Sequence, residues 1–483
     1  MNDFYSPKKI IKQYGNAPYP IIKPAKVIPK PNPLSNPNAE YMTPEVVVTK
    51  IKPKKPLRYN LNLKVANKTV APVKKAIAKK TNKSIVNSQA AQDVHLNAIK
   101  ATKHSRVNPI SANATIGPLQ LPSPTSGYTP IQLRTAYGLT SLSATGAGQT
   151  ICVVDAYKYP NAVADFQAFD AFYSIGHPNN LRVVSLGTVS DVSWSLEQAL
   201  DVQAIHSIAP QALIVLVQAK SDSLADLLAA VEYCNTSVPA MTVLSMSWGS
   251  DIFSGESNYN SYFTKADVVY IASSGDTGAV PSWPASSANI LAVGATTLIL
   301  NSNGTRISTN PEQAWPDTGC GVSNFDAKPA YQSALSYSGR VTPDICMFGD
   351  EYPGVPVIDT NYSHSWIYVG GTSLSCQLMA GVIALANQMR LAVSKQNLSI
   401  ATLHTYLYST TLPSTSLAIY NPANVTAVPA NINTGTYDIF DIEIGHVANT
   451  IATPGFDIAT GLGTISNASN TGGFVYALSH SIP

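Results

Sequence analysis

Gly371-Thr372-Ser373 opens a helix-like run, Ser373-Leu374-Ser375-Cys376-Gln377-Leu378-Met379-Ala380-Gly381-Val382-Ile383-Ala384-Leu385-Ala386-Asn387. A serine at a helix N-terminus is surrounded by backbone N–H groups with no intrahelical partner, free to face a developing oxyanion. Ser373 is therefore a candidate nucleophile, and such a serine needs a base to take its proton. No histidine of this chain is followed by glycine, the setting in which a serine's base is usually found. Upstream, Trp194-Ser195-Leu196-Glu197-Gln198-Ala199-Leu200-Asp201 places two carboxylates four residues apart, on one face of a helix. A serine served by paired carboxylates, without histidine, is peptide-bond chemistry suited to acid.

The physical reason lies in proton sharing. Glu197, when ionised and within hydrogen-bond reach, can accept the Ser373 proton. Asp201, one turn on, can share a proton with Glu197, because two close carboxyls do not both ionise cheaply. Alone, such a pair is a solvated helix face; here Leu196, Leu200, Ile205 and Ile208 bury part of that helix. A third carboxyl follows a buried strand in Ile271-Ala272-Ser273-Ser274-Gly275-Asp276-Thr277-Gly278. The glycines allow a tight turn, and a protonated Asp276 could donate to an oxyanion beside the Ser373 N–H.

These groups need a scaffold. Strands are expected at 150–155, 181–186, 212–218, 241–247, 268–273 and 290–293, and helices at 162–175, 194–208, 221–235 and 373–388. Continuous apolar strands alternating with helices specify an α/β fold, a parallel sheet covered by helices on both faces. Catalytic groups then belong at the carboxyl ends of the strands and the amino ends of the following helices.

Residues 1–115 read differently. Residues 1–110 carry 21 Lys and Arg against 4 Asp and Glu, a balance of +17, and the remaining 10 and 24 leave −14. Eleven of the 34 prolines fall in the first 60 residues, which breaks both helix and strand periodicity. This arm is expected to be disordered, apart from a short basic helix over 71–80. Two readings fit it: a tether for an anionic partner such as nucleic acid, or a solubilising tail or segment removed on maturation. The domain carrying the candidate catalytic groups is placed at 125–483. The arm is expected to be dispensable for catalysis, so that a chain starting near Ser123 keeps its activity.

Taken together the segments resemble the sedolisin, or serine-carboxyl peptidase, family. The likeness runs from Tyr128-Thr129-Pro130-Ile131-Gln132-Leu133-Arg134 to about Tyr476. It includes Val153-Val154-Asp155-Ala156-Tyr157, the Glu197/Asp201 helix with Ala209-Pro210, and Ser245-Met246-Ser247-Trp248-Gly249. It continues through Ser274-Gly275-Asp276, Trp283-Pro284-Ala285-Ser286-Ser287, Ala292-Val293-Gly294 and Gly370-Gly371-Thr372-Ser373. The resemblance implies a subtilisin-like fold and acid-acting hydrolysis of polypeptides. Ser373 would be the nucleophile, Glu197 the base, Asp201 its partner and Asp276 the oxyanion acid. Ser247, Trp248 and Gly249 would pair with substrate backbone. Asp155 matches the catalytic aspartate position of subtilisins; that role passes here to Asp201, so Asp155 is left aside. The family also implies one Ca²⁺, held by the carboxylates of Asp441 and Asp457 and the carbonyls of Ile442, Thr453 and Gly455. Thr453 stands where the family usually has glycine.

The chain departs from the family in showing no folded pro-domain and no signal-peptide apolar core in Met1-Asn2-Asp3-Phe4-Tyr5-Ser6-Pro7-Lys8-Lys9. Cytoplasm, a particle, or non-standard export all fit. No apolar run approaches the ~18 residues that span a bilayer. The five cysteines have no CxxC spacing and read as buried or free thiols, Cys376 as core. The competing reading is a non-catalytic structural or packaging protein on a peptidase scaffold, tethered by the arm; retention of all four catalytic side chains opposes it. A Ser-His-Asp enzyme lacks its His-Gly, and His206 reads as structural.

Overall fold

Alternation along one strand, Thr150–Ala156 (β1), separates the two layers of the core. Ile151 and Val153 point into one apolar cluster and Cys152 and Val154 into the other, as side chains of period two must. The computed structural model describes residues 96–97, 99–107, 124, 126–308, 310–363, 366–408, 419–420, 438–467 and 472–480. The chain divides into Met1–Lys79, which lies outside the described residues together with the basic helix expected over 71–80, and Lys80–Pro483.

The second unit is built on one large sheet. Its strands are β1, Leu181–Ser185 (β2), Leu213–Ala219 (β3), Met241–Met246 (β4), Val269–Ser273 (β5), Leu291–Leu298 (β6) and Ile345–Phe348 (β7). They lie side by side in the order β2-β3-β1-β4-β5-β6-β7, all parallel. Short strands Thr464–Ile465, Ile439–Phe440 and Ile419–Tyr420 extend the β7 edge, with one antiparallel step between the first two.

Val192–Ile208 (α1) and Thr372–Ala392 (α2) supply Leu196, Leu200, Ile205, Leu378 and Ile383 to the first cluster. Leu224–Ser237 supplies Leu227, Leu228 and Val231 to the second. Helices thus cover both faces, as the continuous apolar strands require. The α1 start is fixed by Asp191, whose carboxylate accepts from the N–H groups of Ser193 and Trp194. All five cysteines are free and buried.

One boundary differs from the sequence expectation. Residues 99–107, assigned by composition to the disordered arm, carry two short strands, Thr102–Lys103 and Arg106–Val107. Their order comes from backbone pairing with distant segments, Trp248–Asp251 and Ile367–Gly370. No local apolar pattern is needed for that.

Candidate active site

The site forms where the strand ends meet the start of α2. Gly371 is the α2 N-cap residue, with φ 110°, a region that favours glycine. A Cβ there would stand 2.2 Å from the His104 carbonyl oxygen and 2.6 Å from Asp276 Oδ2. The glycine therefore leaves room for a peptide carbonyl against an acid group. The Ser373 N–H donates to that same His104 carbonyl at 3.0 Å. The Ser373 hydroxyl is buried and lies 3.4 Å from the Ser247 carbonyl.

Asp276 is placed by the turn after β5. Its Oδ1 accepts from the Thr372 N–H at 2.9 Å and the Thr372 hydroxyl at 2.7 Å. Its buried Oδ2 has no hydrogen-bond partner among the described residues. Burial pushes the Asp276 carboxyl up to about 8, against the Thr372 donors and the Arg106 charge. It is thus protonated in acid and can donate from Oδ2 toward the carbonyl held by Ser373.

Glu197 and Asp201 are both fully buried on α1. Burial raises Glu197, opposed first by the Lys103 charge and then by the Ser105 and Ser373 hydroxyls, so these two serines border its carboxyl. Burial raises Asp201 well above the carboxylate range, and repulsion from Asp155 and Glu197 raises it further. Gln377 Nε2 bridges Asp201 Oδ2 at 2.6 Å and Ser247 Oγ at 2.8 Å. Asp155, at the end of β1, is also fully buried, and burial and Glu197 hold it well above its ordinary value. The cluster therefore has three carboxyls, which favours one shared charge over two or three. Sequence reasoning set Asp155 aside and passed over Gln377; the spacing of Gln377 four residues after Ser373 on one helix was the available signal.

Ser247, Trp248 and Gly249 form the rim expected to receive substrate backbone, and a strand lies on it. Thr102 opposes Gly249 and Lys103 opposes Trp248, antiparallel. The His104 N–H donates to the Ser247 carbonyl at 3.1 Å. Beyond the His104 carbonyl, Arg106 and Val107 pair with Gly370 and Val369. Residues 99–107 thus cross the cleft in extended form, with the His104–Ser105 peptide bond at Ser373. The arm, expected to be disordered and dispensable for catalysis, reaches into the site here.

The calcium candidates lie apart, in the C-terminal loops. The Gly455 N–H donates to Asp441 Oδ2 at 2.7 Å and the Thr453 N–H to Asp457 Oδ2 at 3.0 Å. Asp441 Oδ1 is buried with no partner among the described residues, and burial with repulsion from Glu443 and Asp457 pushes Asp441 up to about 7. The open Asp441 Oδ1 could face a hard cation, whereas both Asp457 oxygens already accept from Thr453 or Thr460 donors. Among the described residues, no group of three or more His, Cys, Asp or Glu side chains is arranged for a metal, so carbonyls would have to complete the set. His206 is elsewhere: its Nε2 meets Asp170 Oδ2 at 2.9 Å in the core.

The sequence model of the subtilase family matches residues 187–447, more than half of the chain. The chain is 24% identical to sedolisin of Pseudomonas sp. (strain 101) over 299 residues, 53% of this chain and 50% of that protein. It is 26% identical to tripeptidyl-peptidase 1 of Dictyostelium discoideum over 52% of this chain and 45% of that one. It is 26% identical to kumamolisin of Bacillus sp. (strain MN-32) over 56% of this chain and 53% of that one. It spans about half the length of these curated relatives. The solved structure of Pseudomonas sedolisin, a serine-carboxyl proteinase complexed with two molecules of pseudo-iodotyrostatin, superposes with a TM-score of 0.55 at 22% identity. That match covers 70% of this chain and 95% of the other, and it establishes the shared fold. The chain belongs to the subtilase family, with sedolisins among its relatives.

Proposed function

We propose that this protein is an acid-acting serine-carboxyl peptidase that cleaves polypeptides through an acyl-enzyme. The observation that carries this reading is the grouping at Ser373: its N–H donates to the His104 carbonyl, Asp276 Oδ2 lies beside the same Gly371 that this carbonyl approaches, and Glu197 borders the Ser373 hydroxyl. Ser373 attacks a carbonyl carbon, Glu197 takes its proton, and Asp201 shares the charge that results. Protonated Asp276 and the Ser373 N–H stabilise the oxyanion. Glu197 then returns its proton to the leaving nitrogen, and water hydrolyses the ester. Cleavage within a chain, rather than near its end, is supported by the extended segment lying on both sides of Ser373. A non-catalytic packaging role leaves the four buried acid and hydroxyl groups without a purpose.

Activity is expected to peak in acid. The carboxyl cluster must have lost one proton to serve as base, while a second loss, toward neutrality, removes the shared proton; by about 8 Asp276 also ceases to donate. After incubation at acid pH, one equivalent of a peptide aldehyde should titrate the enzyme. A pH–rate maximum above neutrality, or no aldehyde binding and no hydrolysis in acid, rejects the reading.

Asp441 and Asp457, with the carbonyls of Ile442, Thr453 and Gly455, are proposed to hold one Ca²⁺, which would act structurally by neutralising the buried carboxylates. Chelation should lower the melting temperature by about 5 °C at saturating metal. Equal melting curves in calcium and in chelator would remove the site. An anionic partner for the arm rests on the +17 balance alone; such binding should weaken steeply with salt.

A further inference from the structure

The structure assigns Gln377 as the positioning residue of the base pair: its buried amide clamps Asp201 to Ser247 and favours the charge that Asp201 shares with Glu197. The inference rests on the serine-carboxyl reading above and adds a residue to it.

Three observations carry it. The first is place. Gln377 is fully buried on α2, one turn after Ser373 and on the same face. The other polar side chains of that turn are spent on strand ends: Ser375 Oγ accepts from the Met347 N–H at 3.0 Å, and Cys376 Sγ lies 3.3 Å from Ser245 Oγ. Gln377 instead reaches the carboxyl cluster. The second is bonding. Both Nε2 hydrogens are used, one on Asp201 Oδ2 at 2.6 Å and one on Ser247 Oγ at 2.8 Å. An amide N–H can only donate. Of the six oxygens of Asp155, Glu197 and Asp201, Asp201 Oδ2 is the one with a hydrogen-bond partner among the described residues; the other five are buried without one. The Ser105 and Ser373 hydroxyls border Glu197 outside hydrogen-bond geometry. The third is connection. The Ser247 carbonyl accepts the His104 N–H at 3.1 Å and lies 3.4 Å from the Ser373 hydroxyl. The clamp therefore joins the carboxyl cluster to the strand end that meets the peptide.

The direction of the effect follows from the charges around Asp201. It faces Asp155 from β1, Glu197 from its own helix and, from α2, the Cys376 thiol, which burial keeps neutral. Lys103 acts on Glu197 from the strand on the rim. The two carboxyl neighbours oppose a charge on Asp201, whereas Gln377 and the Ser247 hydroxyl favour it. A hydrogen bond to a carboxylate is about twice as strong as one to an uncharged oxygen, and the amide has no proton of its own to lose. Gln377 is thus a fixed bias toward the ionised pair, whose first proton belongs to both carboxyls together. Without it, that proton is harder to lose, and the acid limb of the pH–rate profile moves up.

Gln377→Met keeps the length of the side chain and removes both donors. Its melting temperature should stay within about 5 °C of native. Turnover on the acid limb should fall about tenfold, and the limb should lie about one pH unit higher, while the fall near 8 set by Asp276 stays in place. A folded variant with an unmoved limb makes Gln377 a packing residue. A limb moved to lower pH means that the amide oxygen faces Asp201 and holds it protonated. Either result overturns the proposal and leaves the peptidase reading standing. A second measurement decides the matter if the methionine variant does not fold. In the Ser373→Ala chain carrying isotope-labelled glutamine, the Gln377 amide resonance, assigned by its loss in Gln377→Glu, should move with pH at the midpoint of the native acid limb. A resonance indifferent to pH overturns the proposal. If the native chain hydrolyses nothing in acid, the peptidase reading falls and this proposal with it.

Discussion

Replacing Ser373 by alanine is expected to lower kcat by on the order of 10⁶-fold without unfolding the protein. The substitution removes one oxygen, which makes a long contact of 3.4 Å to the Ser247 carbonyl. The oxyanion donor proposed at residue 373 is the backbone N–H, which alanine keeps, and the α2 start is set by Gly371 and by Thr372 against Asp276. Stability should therefore change by no more than about 1 kcal/mol. Turnover measured in acid on the purified variant, beside its melting curve, checks both halves. Undiminished turnover would remove Ser373 as nucleophile. Lost turnover together with a lost melting transition would instead make the serine a packing residue.

The scaffold of this site was legible because its strands are buried on both faces. Runs such as Thr150–Ala156 and Leu213–Ala219 are continuous and apolar, a pattern that survives without knowledge of neighbours. The expected helix ends shift by only a few residues, to Val192 and Thr372 at the two that matter. The Glu197–Asp201 spacing and the Gly-Thr-Ser start were likewise local signals. The cleft's occupant was not legible. Lys103, His104, Ser105 and Arg106 look like a solvated arm, and their order is imposed by strand edges roughly 150 and 260 residues away in sequence. Asp155 was visible but was set aside because the resemblance gives its role to Asp201; three-dimensional packing shows its carboxyl buried and repelled by that of Glu197. The loops proposed to hold calcium gave carboxylates by sequence, but carbonyl direction is a property of irregular backbone and leaves no residue signature.

Glu197→Gln carries the second large effect, a fall in kcat on the order of 10⁴-fold. Glutamine keeps the volume and burial of the side chain and removes its capacity to take a proton. The direction of the pH response distinguishes this from a mere loss of packing. In the native enzyme, the acid side of the profile records the cluster becoming ionised, at a pH above that of a free carboxylate because burial dominates at Glu197. With glutamine at 197, that limb should disappear from the residual activity, while the fall near 8 set by Asp276 should persist. Asp201→Asn should be milder and should shift the limb rather than erase it, because Asp201 is tied to Gln377 and acts through Glu197. Asp155→Asn should move it to lower pH by removing a repelling neighbour. A Glu197→Gln enzyme within about tenfold of native turnover would place the base elsewhere. An Asp155→Asn enzyme that lost turnover on the larger scale would then identify Asp155 as that base.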